Sequence, residues 1–235
     1  MKHGRNGSDL TSVLSGSVLG SFPPRLARVT VRAEGRVYGG RTHAQRRAER
    51  RERLLEAGLQ EFGTVGWSGT AVERLCLAAG VATRSFYEEF ASREALLLTV
   101  YEQVLTTASA AVAAALAAAP PTLEERVSAG VSTYIGYLTE DPRRARIVHG
   151  EVRAAGVLEN ERRAGFLSFA SLVEAESAEL YRLGERRDGA GRLTALALAG
   201  ALNELLITWV AEAEPRSSVA PLIDELTMLF IAALR

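Results

Sequence analysis

The chain has 235 residues, 47% of them hydrophobic, and its 28 Lys and Arg balance 28 Asp and Glu. That length suits a small domain joined to a larger one, while a single cysteine, Cys76, excludes an internal disulfide and fits a reducing, cytoplasmic setting. The charge is uneven: residues 1–53 hold 12 basic against four acidic side chains, so one end is suited to a polyanion and the rest is acidic.

Residues 1–41 are rich in Ser, Gly, Pro and Arg without periodicity and read as a flexible basic extension. Leu10–Leu19 is broken by serines and a glycine, so it lacks the form of a secretory signal. From Thr42 the pattern turns helical and strand-like alternation nearly disappears, which predicts an all-α protein. A first helix from about His43 to Val65 places Leu55, Gly58, Leu59 and Phe62 on one face, and Gly66 ends it. Thr70 is placed as N-cap of a short segment containing Val72, Leu75, Cys76 and Ala79. Gly80 breaks that segment, and a second short helix from about Thr83 to Phe90 buries Phe86 and Phe90.

Ser92 then caps a long helix with Leu97, Val100, Tyr101 and Val104 on one face, running to about Ala118 before Pro120-Pro121. Five more helices follow at about 122–140, 142–155, 158–184, 188–213 and 217–234, giving about nine in all. Their breaks are Asp141-Pro142, Gly156, Asp188-Gly189 and Glu214-Pro215. Leu193–Ala211 is very apolar but contains Thr194, Asn203, Glu204 and Thr208, so it reads as a buried helix, not a membrane span.

Two short one-sided helices joined by a glycine turn have the form of a helix-turn-helix between Thr70 and Phe90. An ordinary helical hairpin has the same periodicity. The ordered string Leu55-x-Ala57, Phe62, Gly66-Trp67, Thr70-x-Val72, Leu75, Ala79-Gly80-Val81, Ser85-Phe86-Tyr87, Phe90, Arg93-Glu94 and Leu97 goes further and resembles the tetracycline-repressor (TetR) family over about residues 47–107. The resemblance implies a three-helix DNA-binding domain at 42–107 and a larger ligand-binding and dimerisation domain at 108–235. It also implies a homodimer on a near-palindromic double-stranded operator, and repression as the usual sign.

By that resemblance Tyr87 contacts phosphate through its hydroxyl, Arg93 clamps phosphate at the start of the fourth helix, and Thr70 both caps its helix and touches phosphate. Packing is the competing reading for Tyr87, and an idle surface arginine for Arg93. Thr83, Arg84 and Ser85 occupy the groove-facing part of the recognition helix. Arg84 is suited to fork onto guanine O6 and N7, or else to bind phosphate. Glu89 departs from the family pattern, where tyrosine or histidine is common; beside Glu88 it is repelled by DNA unless paired, with Arg93 or Arg84 as candidates. Arg41, Arg46, Arg47, Arg50, Arg51 and Arg53 lie before or within the first helix and add a salt-dependent, sequence-blind attraction. Cys76 takes a small core position in the bracing helix.

In the last two helices Leu196, Leu198, Leu202, Leu205, Leu206 and Trp209, then Leu222, Ile223, Leu226, Leu229 and Phe230, occupy more than one face. A second copy is the expected cover, forming a four-helix isologous interface in which Ala199, Gly200 and Ala201 allow close approach. The family resemblance implies a pocket among the middle helices, for which Tyr134, Tyr137, His149, Phe166, Phe169 and Trp209 are candidate linings and an apolar or amphipathic molecule the expected effector. The charged segment Asp141–Arg153 reads as a solvated helix face.

An enzyme is the first rival. Lys2 is the only lysine, which excludes a P-loop or Schiff-base lysine in the folded region. No H-E-x-x-H, G-x-S-x-G or complete G-x-G-x-x-G occurs, the three histidines have no metal-ligand spacing, and no cofactor is implied. Glu176 and Glu179 share a helix face, as surface carboxylates commonly do. A helical adaptor that has lost DNA binding is the second rival, on account of Glu88 and Glu89.

Overall fold

Thr42 starts the first helix with a reciprocal cap: its Oγ1 accepts from the Gln45 amide at 3.2 Å, and Gln45 Oε1 accepts from the Thr42 amide at 2.8 Å. The structure, a computed structural model, describes residues 42–156, 158–184, 191–213 and 216–235, and every regular element among them is helical. The basic extension over 1–41, Arg41, and the breaks at Asp188-Gly189 and Glu214-Pro215 lie outside the described residues.

Helix α1 (His43–Thr64) buries Leu54, Ala57, Gly58 and Phe62. Helix α2 (Val72–Ala79) buries Leu75, Cys76 and Ala79, and it ends at Gly80, whose φ of +61° is left-handed. There the Val81 amide turns back to Cys76 O at 3.0 Å, a closure that a side chain at position 80 would strain. Helix α3 (Thr83–Glu89) is held by Phe86, with Phe90 just beyond its end, both inside the core. Helix α4 (Arg93–Ala118) is capped by Ser92 Oγ, which accepts from the Ala95 amide at 3.2 Å. At about 1.5 Å per residue its 26 residues reach well beyond the short helices that precede it.

The later helices pack onward from α4. Helix α5 (Leu123–Glu140) packs along it, α10 (Ala220–Leu234) lies on α5, and α8 (Glu159–Arg182) pairs with α9 (Arg192–Ala211). Between α5 and α8 runs one continuous rod: α6 (Pro142–Arg146), a π-helical turn (Ile147–Glu151), and α7 (Val152–Ala155). Counting that rod as one, nine helices stand among the described residues, as expected. Helices α4 and α9 are long and apolar enough to cross a membrane by length and composition. In this fold α4 buries Leu96, Leu97, Val100, Tyr101, Val104 and Leu105 in the core, and α9 buries Leu198, Leu202 and Leu206.

The rod corrects the expectation of a solvated face over Asp141–Arg153. Ala145, Ile147 and Val152 are fully buried, and two of its arginines bond to α1: Arg143 donates to Gln60 Oε1 at 2.6 Å, and Arg146 to Thr64 O at 2.7 Å. A Cβ at Gly63 would stand 2.5 Å from Arg143 Cβ, so glycine is what lets α1 touch the rod. Glu176 is likewise no free surface carboxylate; it pairs with the buried Arg126 of α5 at 2.5 Å.

Candidate nucleic-acid interface

Burial of Phe86 and Phe90 fixes which side of α3 remains outside. Thr83, Arg84 and Tyr87 are exposed and Ser85 is half-buried, with Tyr87 keeping 56% of its surface and meeting Phe86 edge-on at 5.3 Å. Four of the expected contact residues therefore sit on one short helix, and three of them are exposed. The Arg84 side chain is 92% exposed and pairs with Glu88 one turn on, at 3.5 Å.

Glu89 is turned away from that face. Its side chain is 1% exposed, and it accepts from Arg47 at 3.1 Å and from Arg50 at 2.8 Å, while Arg51 donates to its main-chain oxygen at 3.1 Å and lies 4.3 Å over the Phe90 ring. The partners are thus three arginines of α1, not Arg93 or Arg84. An anion at the C-terminal end of a helix opposes the helix dipole, and this cluster offsets the conflict. The same bonds make Arg47, Arg50 and Arg51 a clamp between α1 and α3.

Thr70 and Arg93 also take other positions than expected. The N-cap of α2 is Ala71, without a side-chain bond, and Thr70 is fully buried with its hydroxyl donating to Gly66 O at 2.7 Å. Arg93 donates to Thr70 O at 2.7 Å and Trp67 O at 3.2 Å, its guanidinium stacked 3.7 Å from the Trp67 ring centre. Both residues close the turn between α1 and α2. A one-dimensional reading places polar residues near DNA but does not see that this turn folds inward over Trp67.

The Trp67 amide donates to Glu151 Oε2 at 2.6 Å, and Glu151 is also paired with Arg146 at 2.9 Å. Glu151 is 9% exposed and belongs to the π-helical turn, two residues after His149. It was not among the expected site residues; its acidity inside an otherwise arginine-rich segment is the only signal the sequence offers.

His149 faces a cavity of about 70 Å³ bounded by α4, α5, α8, α9 and the rod. Of the expected linings, Tyr134, His149, Phe166 and Phe169 are present, joined by Tyr101 and Asn203. Tyr137 and Trp209 are not there. Tyr137 carries Arg144 over its ring at 4.4 Å, and Trp209 Nε1 donates to Ser217 O at 3.1 Å. Helical spacing fixes the face a side chain takes only relative to its own helix, so it could not separate these two from the others. A second cavity of about 60 Å³, walled by Val112, Leu116, Val131, Phe230 and Leu234, shares Phe169 and Leu172 with the first.

On the outer side, Leu205, Met228 and Leu229 remain 37%, 59% and 41% exposed on α9 and α10. Leu198, Leu202, Leu206, Trp209, Leu226 and Phe230 belong to the chain's own core. Ala199 is buried and lines the first cavity, which removes it from the expected contact with a second copy, while a Cβ at Gly200 would meet open space. Cys76 is packed in the core, and burial raises its thiol pKa.

Residues 54–100 match the family model of bacterial regulatory proteins, tetR family. No curated protein gives a significant match. Among solved structures, the chain is similar to the fatty acid degradation regulator FadR of Bacillus halodurans, at 20% identity and TM-score 0.67 over 77% of this chain and 94% of that one. It is also similar to FadR of Bacillus subtilis in complex with stearoyl-CoA, at 18% identity and TM-score 0.70, covering 78% and 99% of the two chains. A third, a tetR-family protein of Mesorhizobium loti, shares 20% identity with TM-score 0.59 over 80% and 95%. The matched segment runs from the second half of α1 into the first turns of α4 and contains the exposed α3, and over it the chain carries the helix-turn-helix domain of the tetR family of bacterial regulatory proteins.

Proposed function

We propose that this regulator is a homodimeric repressor released from its operator by a small apolar or amphipathic effector, with DNA binding in residues 42–107 and effector binding and dimerisation in 108–235. The observation carrying this reading is the π-helical turn, where His149 faces the cavity and Glu151, two residues later, holds the Trp67 amide. A ligand that moves the wall moves the turn supporting α2 and α3. For release, it must bind the two arrangements unequally.

Thr83, Arg84 and Ser85 face base edges in this reading, and Tyr87 reaches the sugar-phosphate backbone. The two copies place their α3 helices in successive major grooves about 34 Å apart. An apolar body for the effector agrees with the stearoyl chain of the stearoyl-CoA held by the Bacillus subtilis protein of similar fold. The first cavity at about 70 Å³ holds only a few waters, so a longer ligand needs the Phe169–Leu172 partition to open onto the second.

Selection of binding sites from random DNA, followed by titration of variants, tests the assignment. Arg84→Ala is expected to relax preference at one base pair per half-site at a cost of about 1–3 kcal/mol. Tyr87→Phe should weaken all sequences alike, by about 1 kcal/mol. If the wild-type chain binds no DNA in a salt-sensitive, sequence-preferring way, it does not act as proposed.

A further inference from the structure

The first cavity contains a buried polar atom whose pairing the protein does not complete. His149 is 6% exposed, and its Nδ1 lies 3.0 Å from Asn203 Oδ1. An amide oxygen only accepts, so the proton sits on Nδ1 and Nε2 keeps its lone pair. Nε2 is buried with no hydrogen-bond partner. Burial lowers the ring's pKa to about 4, against the opposing pull of the Asn203 bond, so the ring is neutral near pH 7. Buried polar atoms in native proteins are nearly always paired, and an orphan acceptor calls for a donor from outside the chain.

The neighbouring groups narrow the chemistry. Burial raises the phenol pKa of both Tyr101 and Tyr134, so each remains a neutral hydroxyl that donates or accepts and does not discriminate. Arg162 also borders the cavity, but Glu159 accepts from its guanidinium at 2.6 and 2.8 Å, which meets its charge and leaves little call for an anionic ligand. Most of the remaining wall is apolar, including Leu105, Phe166 and Leu202.

We infer that His149 Nε2 is a specificity-determining acceptor: it receives a hydrogen bond from a hydroxyl or amide N–H on an otherwise apolar, uncharged effector and rejects a ligand of the same shape that has no donor. This rests on the cavity being the effector site. An apolar analogue must leave the acceptor unpaired or trap water on it, whereas a donor satisfies it without disturbing the Asn203 bond.

The test uses the full chain and two matched ligand series, 1-alkanols from butanol to decanol and alkyl methyl ethers of equal length, with binding read by calorimetry and by shift of the melting temperature. The alcohol is expected to bind about tenfold tighter than its ether, the worth of one good hydrogen bond. His149→Phe should abolish that preference while still binding the ether, which establishes that the cavity is folded. His149→Gln, whose amide oxygen supplies an acceptor, should restore part of it. Equal affinity of wild type for alcohol and ether overturns the inference, because the acceptor is then filled by water or carries the proton instead. Preference surviving in His149→Phe overturns it too. If neither series binds or shifts the melting temperature, the effector reading of the cavity falls, and this inference with it.

Discussion

Glu89 and His149 are buried polar residues whose neighbours decide their roles. Glu89 is excluded from DNA by burial and held by Arg47 and Arg50, with Arg51 on its carbonyl. Replacing one charge in such a cluster leaves the others uncompensated, partly relieved here because Arg47 stays 59% exposed. Glu89→Gln is therefore expected to lower stability by about 1–3 kcal/mol in urea denaturation; an unchanged midpoint would refute the clamp. His149 gives a pH signature. Its ordinary value is 6.5 and its folded value about 4, so between them the unfolded chain binds a proton that the folded chain refuses. Its contribution is fully present above pH 6.5, is lost as pH falls through that window, and amounts to roughly 3 kcal/mol. Denaturation curves from pH 7 to 4 should show a smaller loss for His149→Phe than for wild type.

At the level of elements, the turn between α1 and α2 and the rod Pro142–Ala155 form one device. Arg93 from α4 and Glu151 from the rod both bond to Trp67, one through its carbonyl and ring face, the other through its amide. Two of the elements that border the cavity thus meet at the base of the helix-turn-helix. A π turn carries one extra residue per loop of helix, a costly geometry that often marks functional positions. It presents His149 to the cavity while Glu151 reaches Trp67. Glu151→Ala should leave effector binding within about twofold while weakening operator affinity by about 1–2 kcal/mol, the worth of a charge-assisted hydrogen bond. Parallel calorimetry and DNA titration check this, and equal loss in both would mean general unfolding instead of uncoupling.

Across the whole molecule, Leu205, Met228 and Leu229 of α9 and α10 are exposed apolar side chains available to a second copy in the proposed dimer. Leu205→Asp with Met228→Asp is expected to give a monomer by sedimentation and to cut operator affinity at least about 100-fold, since one half-site then binds alone. Retention of the dimer at micromolar concentration would place the interface elsewhere. What the sequence alone determined was whatever depends on local periodicity and turn chemistry. The helical class, the Gly80 turn, the Ser92 cap and the burial of Phe86 and Phe90 all follow from neighbours within about four residues, and these define the exposed side of α3. Only the tertiary structure decided which distant groups satisfy one another. Thr70 and Arg93 turn inward to main-chain carbonyls, Glu89 pairs with arginines of α1, and the charged rod docks on the DNA-binding domain. Tyr137 and Trp209 leave the cavity while Tyr101 and Asn203 enter it. Charge and aromatic content say that a side chain needs a partner, but its identity is fixed by helices packing across tens of residues, information that no local pattern contains.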